Sequence, residues 1–538
     1  MNKFSSLISH SLKVIAFSMA LSAFAATSTE KTGDKGAEQR TLNMIDFLHE
    51  YDLNPHTAAY TSEAQLMTAL YEGLYSYNPI TLEPVPALAE SYKVSRSRKR
   101  WTFTIRKNAK FSDGSAITAS SVRDSWLTLL ANPNASYSSL FDCIEGAEEY
   151  RTGKGKKENV AITAKNATTL IVVLNSPAPH FQRLLCHHSF SVVSAKPNVY
   201  SGAFVLKSYE NGILELEKNA KYWDSANVAL PAIHIEQSGD PDENTFAFNT
   251  GAVDWVTGNI EPKSLINTKA VSMAAEYGTQ YLFFKCQNEP WNIAEFRQAL
   301  LAAAPWSELR NKAVVAAETL IYPISMYPSV IGYKDTDIDE ALDLMKKARK
   351  KAGIPDKKEI EIILALSEEE SETRFYDALS AAWKPLGVKV VLQRTPVENY
   401  LANIKNWNAD IFLYSWIGDF AEPLAFLELF RSDSKLRETN WTNSDFDSLL
   451  QKASEISDTV ERYKVFASAE QLLLDEAVIM PLSHPVSFHI IDTNIVGGWY
   501  SNALDVHPFK YLYLKKPQIS VQNLVLAKPD AFSRTSIR

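Results

Sequence analysis

The sequence predicts an α/β protein of several domains, and three observations carry that prediction. The chain has 538 residues, which at roughly 100–200 residues per domain gives two to four domains. From Asp337 to Asp410 a helix, a strand, a helix and a strand follow one another, the pattern of parallel strands joined by a crossover. Elsewhere short segments alternate apolar and polar residues, the period of strands half buried against a core.

Along the chain the elements read as follows. Lys3 and Lys13 flank an apolar run, Val14 to Ala25. The run is shorter than the ~20 apolar residues a bilayer span needs. Ala23-Phe24-Ala25 supplies a cleavage pattern, so residues 1–25 read as a signal peptide and the mature chain starts near Ala26. No Cys follows, so an exported, soluble protein without a lipid anchor is expected. Residues 26–40 read as a mobile leader. Order begins near Thr41, with Leu42, Met44 and Ile45 on a strand. Ser62-Glu63-Ala64-Gln65 reads as a capping box, opening a helix that carries Leu66, Leu70 and Tyr71 and closes at Gly73. Trp101–Arg106 and Leu214–Glu217 alternate as strands. Ile338, Ala341, Leu342, Met345 and Ala348 share a helical face, and Gly353 and Pro355 end that helix. A strand (Glu359–Leu366), a helix (about Ser371–Pro385), a strand (Val388–Gln393) and a short strand (Asp410–Tyr414) follow. Ser444–Ser457 and Thr459–Glu476 are successive helices. No internal repeat is seen, and the tail, 517–538, is weakly patterned.

Composition narrows the function. With 46% hydrophobic and 22% charged residues the chain is globular. A net charge of −8 without a basic stripe argues against nucleic acid as a partner. Cys143, Cys186 and Cys286 are an odd set, and a core of this size needs no disulfide staple. Cys186-His187-His188 suggests a metal, but neighbouring residues on a strand point to opposite faces and no fourth ligand is apparent. No metal and no cofactor are expected. The chain has no Gly-x-Ser-x-Gly elbow, His-Glu-x-x-His or phosphate loop, so it is not read as an enzyme.

Three stretches carry a resemblance. The first is Leu53-Asn54-Pro55-His56 with Leu70-Tyr71-Glu72-Gly73-Leu74. The second runs from Ala87-Leu88-Ala89-Glu90-Ser91 through Trp101–Arg106 and Ala109-Lys110-Phe111-Ser112-Asp113-Gly114 to Ser125-Trp126. The third is Ser201-Gly202-Ala203-Phe204 leading to Glu217-Lys218-Asn219-Ala220-Lys221-Tyr222-Trp223-Asp224. Together they resemble the peptide-binding family of ABC-importer solute-binding proteins, of the oligopeptide and dipeptide type. The resemblance spans about Thr41 to Lys516. It implies a two-lobed, hinged periplasmic-binding-protein fold of three domains, with mixed sheets flanked by helices. Domain I would take 41–75, 198–279 and 488–516. Domain II would be the insert 76–197, and domain III, 280–487, the opposite lobe, with crossings near Thr279 and Phe488. The implied partners are short peptides and the permease subunits of an inner-membrane ABC importer, for a monomer in the periplasm.

The resemblance also implies site residues. Trp416-Ile417-Gly418-Asp419 would receive the peptide N-terminus, with Asp419 pairing with the ligand ammonium, since an enclosed cation needs a counter-charge. Adjacent backbone would pair with the peptide as an added strand, which reads no side chains. Tyr60 and Thr61 would line the opposite edge, and Tyr137 the cleft wall. The family's arginine three residues before the Trp is here Leu413, and its histidine near Glu368–Thr373 is absent. Tyrosines expected near Ser483-His484-Pro485 are missing too, leaving His484 there. Arg374 or Lys405 is the expected substitute for holding the ligand carboxylate. These departures keep other readings open: cell-wall (murein) peptides, a metal chelate or haem as cargo, or a surface interaction protein on the same fold.

Overall fold

The computed structural model describes residues 37–38, 40–49, 51–58, 61–135, 137–257, 259–368, 373–396, 400, 404, 406–418, 420–434 and 437–516, with the side chains of Thr61 and Ser62 excepted. The expected signal peptide and tail, and most of the leader, lie outside these. Contacts divide the chain into 1–38 with 515–538, of which only 37–38 and 515–516 are described, and a compact unit, 39–514, which is the subject below. Among the described residues no helix is long and apolar enough to cross a membrane.

Strand β1, Leu42–Asp46, opens the first sheet, and helix α1, Thr61–Leu70, follows. The expected capping box does not hold Gln65. Its side-chain amide donates to the His507 carbonyl, and its Oε1 accepts the His507 amide at 2.9 Å. One glutamine matches both backbone groups of a residue distant in sequence, so it is not available to cap its own helix. Gly73 lies beyond the helix, where a Cβ would stand 2.9 Å from the Leu185 carbonyl.

Strands β2 (Ala89–Val94) and β3 (Arg100–Ile105), helix α2 (Ala119–Ala131) and strands β4 (Ile162–Asn166) and β5 (Thr169–Val173) build a separate antiparallel layer, ordered β2-β3-β5-β4. Alternate residues of β3 (Trp101, Phe103 and Ile105) are buried, as the period of two requires. The one-turn helix α3, Phe181–Leu184, seats Phe181 on Trp101 and Phe103, with ring centroids 5.4 and 6.3 Å away.

The chain then returns to the first sheet through β6 (Phe204–Glu210), β7 (Ile213–Lys218), β8 (Ala232–Gln237), β9 (Trp255–Thr257) and β10 (Val271–Ala275). After Glu276-Tyr277 it enters a second lobe. The elements there are β11 (Gly278–Phe284), α4 (Ala294–Ala302), β12 (Val315–Ala316), α5 (Ile338–Ala352), β13 (Ile360–Ser367), α6 (Thr373–Trp383), β14 (Val388–Thr395), β15 (Ile411–Ile417), α7 (Ser444–Glu455), α8 (Thr459–Asp475) and β16 (Ile479–His484). Pro485 leads back to the first sheet at β17 (Val486–Ile491). The first sheet is ordered β10-β17-β9-β1-β8-β7-β6 and that of the second lobe β12-β16-β11-β15-β13-β14. Both are mixed: β1 runs parallel to β8 and β9, and β13 runs parallel to β14 and β15.

The strand–helix–strand reading of 337–410 matches these elements. Asp337 caps α5 by accepting the Glu340 amide at 2.8 Å, and Gly353 ends it at φ 67°, a left-handed conformation glycine adopts freely. The buried face is narrower than expected: Ala341, Met345 and Ala348 are buried, while Ile338 and Leu342 stand exposed on its flanks. The three cysteines are free thiols.

Helix α8 buries Glu470, which accepts the Ile321 amide and the Tyr327 hydroxyl, each at 2.8 Å. Burial pushes its carboxyl up to about 7 from an ordinary 4.5. The folded state therefore keeps a proton that the unfolded chain has released. This contribution is full below pH ~4.5 and is lost as pH rises through about 7, by about 3 kcal/mol in all. Burial pushes Glu276 and Glu428 up to about 7 as well, with the same sign. Glu470→Gln keeps both partners and removes the ionisation. Urea unfolding at pH 4.5 and 8 is expected to show the variant gaining about 3 kcal/mol on the wild type across that interval. A constant difference would show that Glu470 ionises in place.

Candidate functional site

The two crossings between lobes run side by side, the Glu276 amide donating to the Pro485 carbonyl at 2.8 Å. His484 fastens them. Its Nδ1 donates to the Gly278 carbonyl at 2.8 Å and lies 3.1 Å from the Thr279 hydroxyl, while its ring stands edge-on to Tyr322. Burial holds this imidazole below its ordinary value.

Strand β15 leads away from this hinge. One edge pairs with β11 over its whole length, from Phe284↔Ile411 to Gly278↔Ile417. The other edge meets β13 only at Ile411 and Phe412. At Leu413 the Tyr400 hydroxyl takes over, accepting the Leu413 amide at 3.0 Å and lying 2.9 Å from its carbonyl. Beyond that point, from Ser415 to Ile417, no strand lies on this edge among the described residues. Leu413 itself is buried in the core, where a guanidinium would be costly. That is the physical sense of the missing arginine.

The segment after this edge is tightly held. The Trp416 indole donates to the Ala425 carbonyl at 2.9 Å, and its ring stacks near Tyr414. Ile417 is exposed. The Gly418 amide donates to the Tyr277 carbonyl at 2.8 Å. A Cβ at Gly418 would sit 2.7 Å from the Tyr277 ring and 3.0 Å from Phe426, so the chain passes here only as glycine. Asp419 lies outside the described residues, between Gly418 and the buried Phe420.

His188 Nε2 lies 3.0 Å from the Ala58 carbonyl, at the end of the described segment before Tyr60 and Thr61. Tyr137 packs on the same pair of rings, 4.5 Å from His187 and 6.0 Å from His188. Burial holds both imidazoles below their ordinary value. His187 Nδ1 accepts the Ser189 amide, so Cys186-His187-His188 is a packing unit that supports the loop. Tyr60 lies outside the described residues, and Thr61 is the first residue of α1.

The other candidates are placed less directly. Arg374 donates to the Leu309 carbonyl at 2.8 Å and covers the Phe375 ring, so a neighbouring helix end already engages it. Lys405 lies outside the described residues. A cavity of about 1080 Å³ is lined only by residues between Gln298 and His484, including Glu470, and so lies within one lobe rather than between the two. His489, Asp505 and His507 gather as a metal set would. However, the Trp255 indole donates to His489 Nδ1, which leaves the proton on Nε2 to bond Asp505 at 2.8 Å. Hydrogen bonding accounts for the cluster.

Sequence reasoning missed Tyr277, Tyr400, His180, Arg183 and Glu422. Glu422 is fully buried and bound by Arg462 and Arg183. Its partners are distant in sequence, and no local pattern marks them.

Comparison with known proteins adds the following. The family model for bacterial extracellular solute-binding proteins, family 5, middle region, matches residues 83–437. The oligopeptide-binding protein OppA of Bacillus subtilis (strain 168) is 26% identical over 93% of this chain and 98% of its own. The periplasmic murein peptide-binding protein MppA of Escherichia coli (strain K12) is 27% identical over 86% and 91%. Among solved structures, the unliganded open form of MppA superposes with a TM-score of 0.74 at 25% identity, covering 90% of this chain and 99% of that one. Haemophilus influenzae OppA in complex with RPPGFSPFR shares the fold, with a TM-score of 0.69 at 21% identity over 90% and 100%.

Proposed function

We propose, since this chain belongs to the bacterial extracellular solute-binding proteins of family 5, that it captures short peptides between its lobes and delivers them to an inner-membrane ABC importer. The observation that carries this reading is the edge of β15 from Ser415 to Ile417, beside the hinge and directly before Asp419. A bare strand edge accepts an extended peptide by main-chain hydrogen bonds, which give affinity without reading sequence. Asp419 supplies the counter-charge for the peptide ammonium at the end of that edge. The names of the relatives agree: OppA binds oligopeptides and MppA murein peptides. The protein acts by binding and release, as an exported monomer in the periplasm, without chemistry on its cargo. Its three domains follow the three large sheets, near the boundaries 41–75 with 198–279 and 488–516, 76–197, and 280–487. The lobes close on the peptide about Glu276-Tyr277 and Pro485.

Cell-wall peptides are the second reading of the cargo, and the likeness to the murein peptide-binding protein MppA supports it. Thermal shift separates the cases. At a concentration 100 times Kd, a true ligand stabilises the folded state by about 2.7 kcal/mol. Unmodified peptides of three to six residues are expected to raise the melting temperature. A shift with muropeptides alone selects the second reading. A shift with haem alone, or with nothing, overturns both.

A further inference from the structure

One short helix of the first lobe grips Phe420 and Glu422 in the second. His180 and Arg183 lie three residues apart at α3, a spacing that puts side chains on one face. The His180 ring stacks on Phe420, with centroids 5.5 Å apart and planes 13° apart. Arg183 Nε lies 3.3 Å from Glu422 Oε2, and its Nη2 lies 2.6 Å from Glu83 of its own lobe. Phe420 is the first described residue after Asp419 and Glu422 the third, and the Gly418 amide before Asp419 is bonded to the hinge residue Tyr277. Helix α3 is itself anchored, by Phe181 on Trp101 and by the Tyr77 hydroxyl donating to the Arg183 carbonyl at 3.3 Å.

We propose that His180 and Arg183 are positioning residues for the ligand-ammonium site, holding Phe420 and Glu422, which follow it in sequence, from the opposite lobe. The proposal rests on the peptide reading above, but its geometry is independent of any ligand. Within its own lobe Glu422 is already bonded to Arg462, at 2.7 and 3.4 Å. Losing Arg183 therefore does not strand the carboxylate, and the second lobe keeps its fold. What is lost is the cross-lobe hold on Phe420 and Glu422, and with it the support for the site at Asp419.

The test is Arg183→Met beside the wild type, with Arg183→Lys as the conservative variant. Backbone amide exchange is measured on the unliganded proteins, and calorimetric titration uses one tripeptide with a free and with an acetylated N-terminus. Arg183→Met is expected to speed exchange at Gly418, Glu422 and Ala425 with little change in melting temperature. It is expected to weaken the free peptide about tenfold or more and the acetylated peptide much less. Lysine should recover part of the loss. Unchanged exchange at Gly418, Glu422 and Ala425 overturns the positioning role whatever the ligand. Equal losses for the two peptides also overturn it, since a general weakening of the lobes would do that. Faster exchange at these residues in a protein whose wild type binds neither peptide keeps the positioning role and removes the peptide reading instead.

Discussion

Asp419→Asn is expected to weaken binding of a free peptide by roughly 30-fold to several thousand-fold. The substitution keeps shape and hydrogen bonding and removes only the charge. Taking one partner from an enclosed charge pair costs about 2–5 kcal/mol, and each 1.4 kcal/mol is tenfold. The described neighbours of Asp419 are held: Gly418 on Tyr277 before it, and Phe420 and Glu422 after it. The unliganded protein should barely lose stability. N-acetylated peptides, which lack the cation, should already bind the wild type poorly and lose little more on mutation, giving a large coupling energy. Calorimetric titration of both proteins with both peptides reads the cycle. A lowered melting temperature with near-normal affinity would make Asp419 a turn residue.

The second large effect concerns stability. Arg462 donates to both oxygens of the fully buried Glu422 and also to the carbonyls of Ile456 and Ser457, which follow α7. Arg462→Met leaves the carboxylate with Arg183 alone, at 3.3 Å. Breaking a buried pair by removing one partner costs about 3–5 kcal/mol, a large share of the 5–15 kcal/mol typical of a folded protein. Urea unfolding followed by tryptophan fluorescence should show that loss for Arg462→Met and little for Arg183→Met. Equal small losses in both would mean that Glu422 is solvated in solution.

What the sequence made legible was local. The α5–β13–α6–β14 run was readable because its signals are close together: the helical spacing of Ala341, Met345 and Ala348, and Gly353 ending α5. The alternation of Trp101, Phe103 and Ile105 was enough to place β3. Long-range pairings were not legible. Gln65 fits a capping box by spacing, yet its amide answers His507, far along the chain. Glu422 carries no local signal, yet it is buried under two arginines from two lobes. The same holds at the site. Trp416 to Gly418 could be singled out by resemblance. That Gly418 must be glycine follows only from the Tyr277 ring, and that no strand among the described residues lies on the β15 edge from Ser415 to Ile417 follows only from where its pairing with β13 ends.

Peptide capture between the lobes is tested most directly by native mass spectrometry of the mature protein mixed with a library of tri- to hexapeptides. One bound peptide per protein chain is predicted, with many sequences represented, because a strand edge reads main chain rather than side chains. N-acetylated members of the library should be depleted among the adducts. No peptide adduct at millimolar library concentration, or adducts indifferent to acetylation and of mixed stoichiometry, would contradict it.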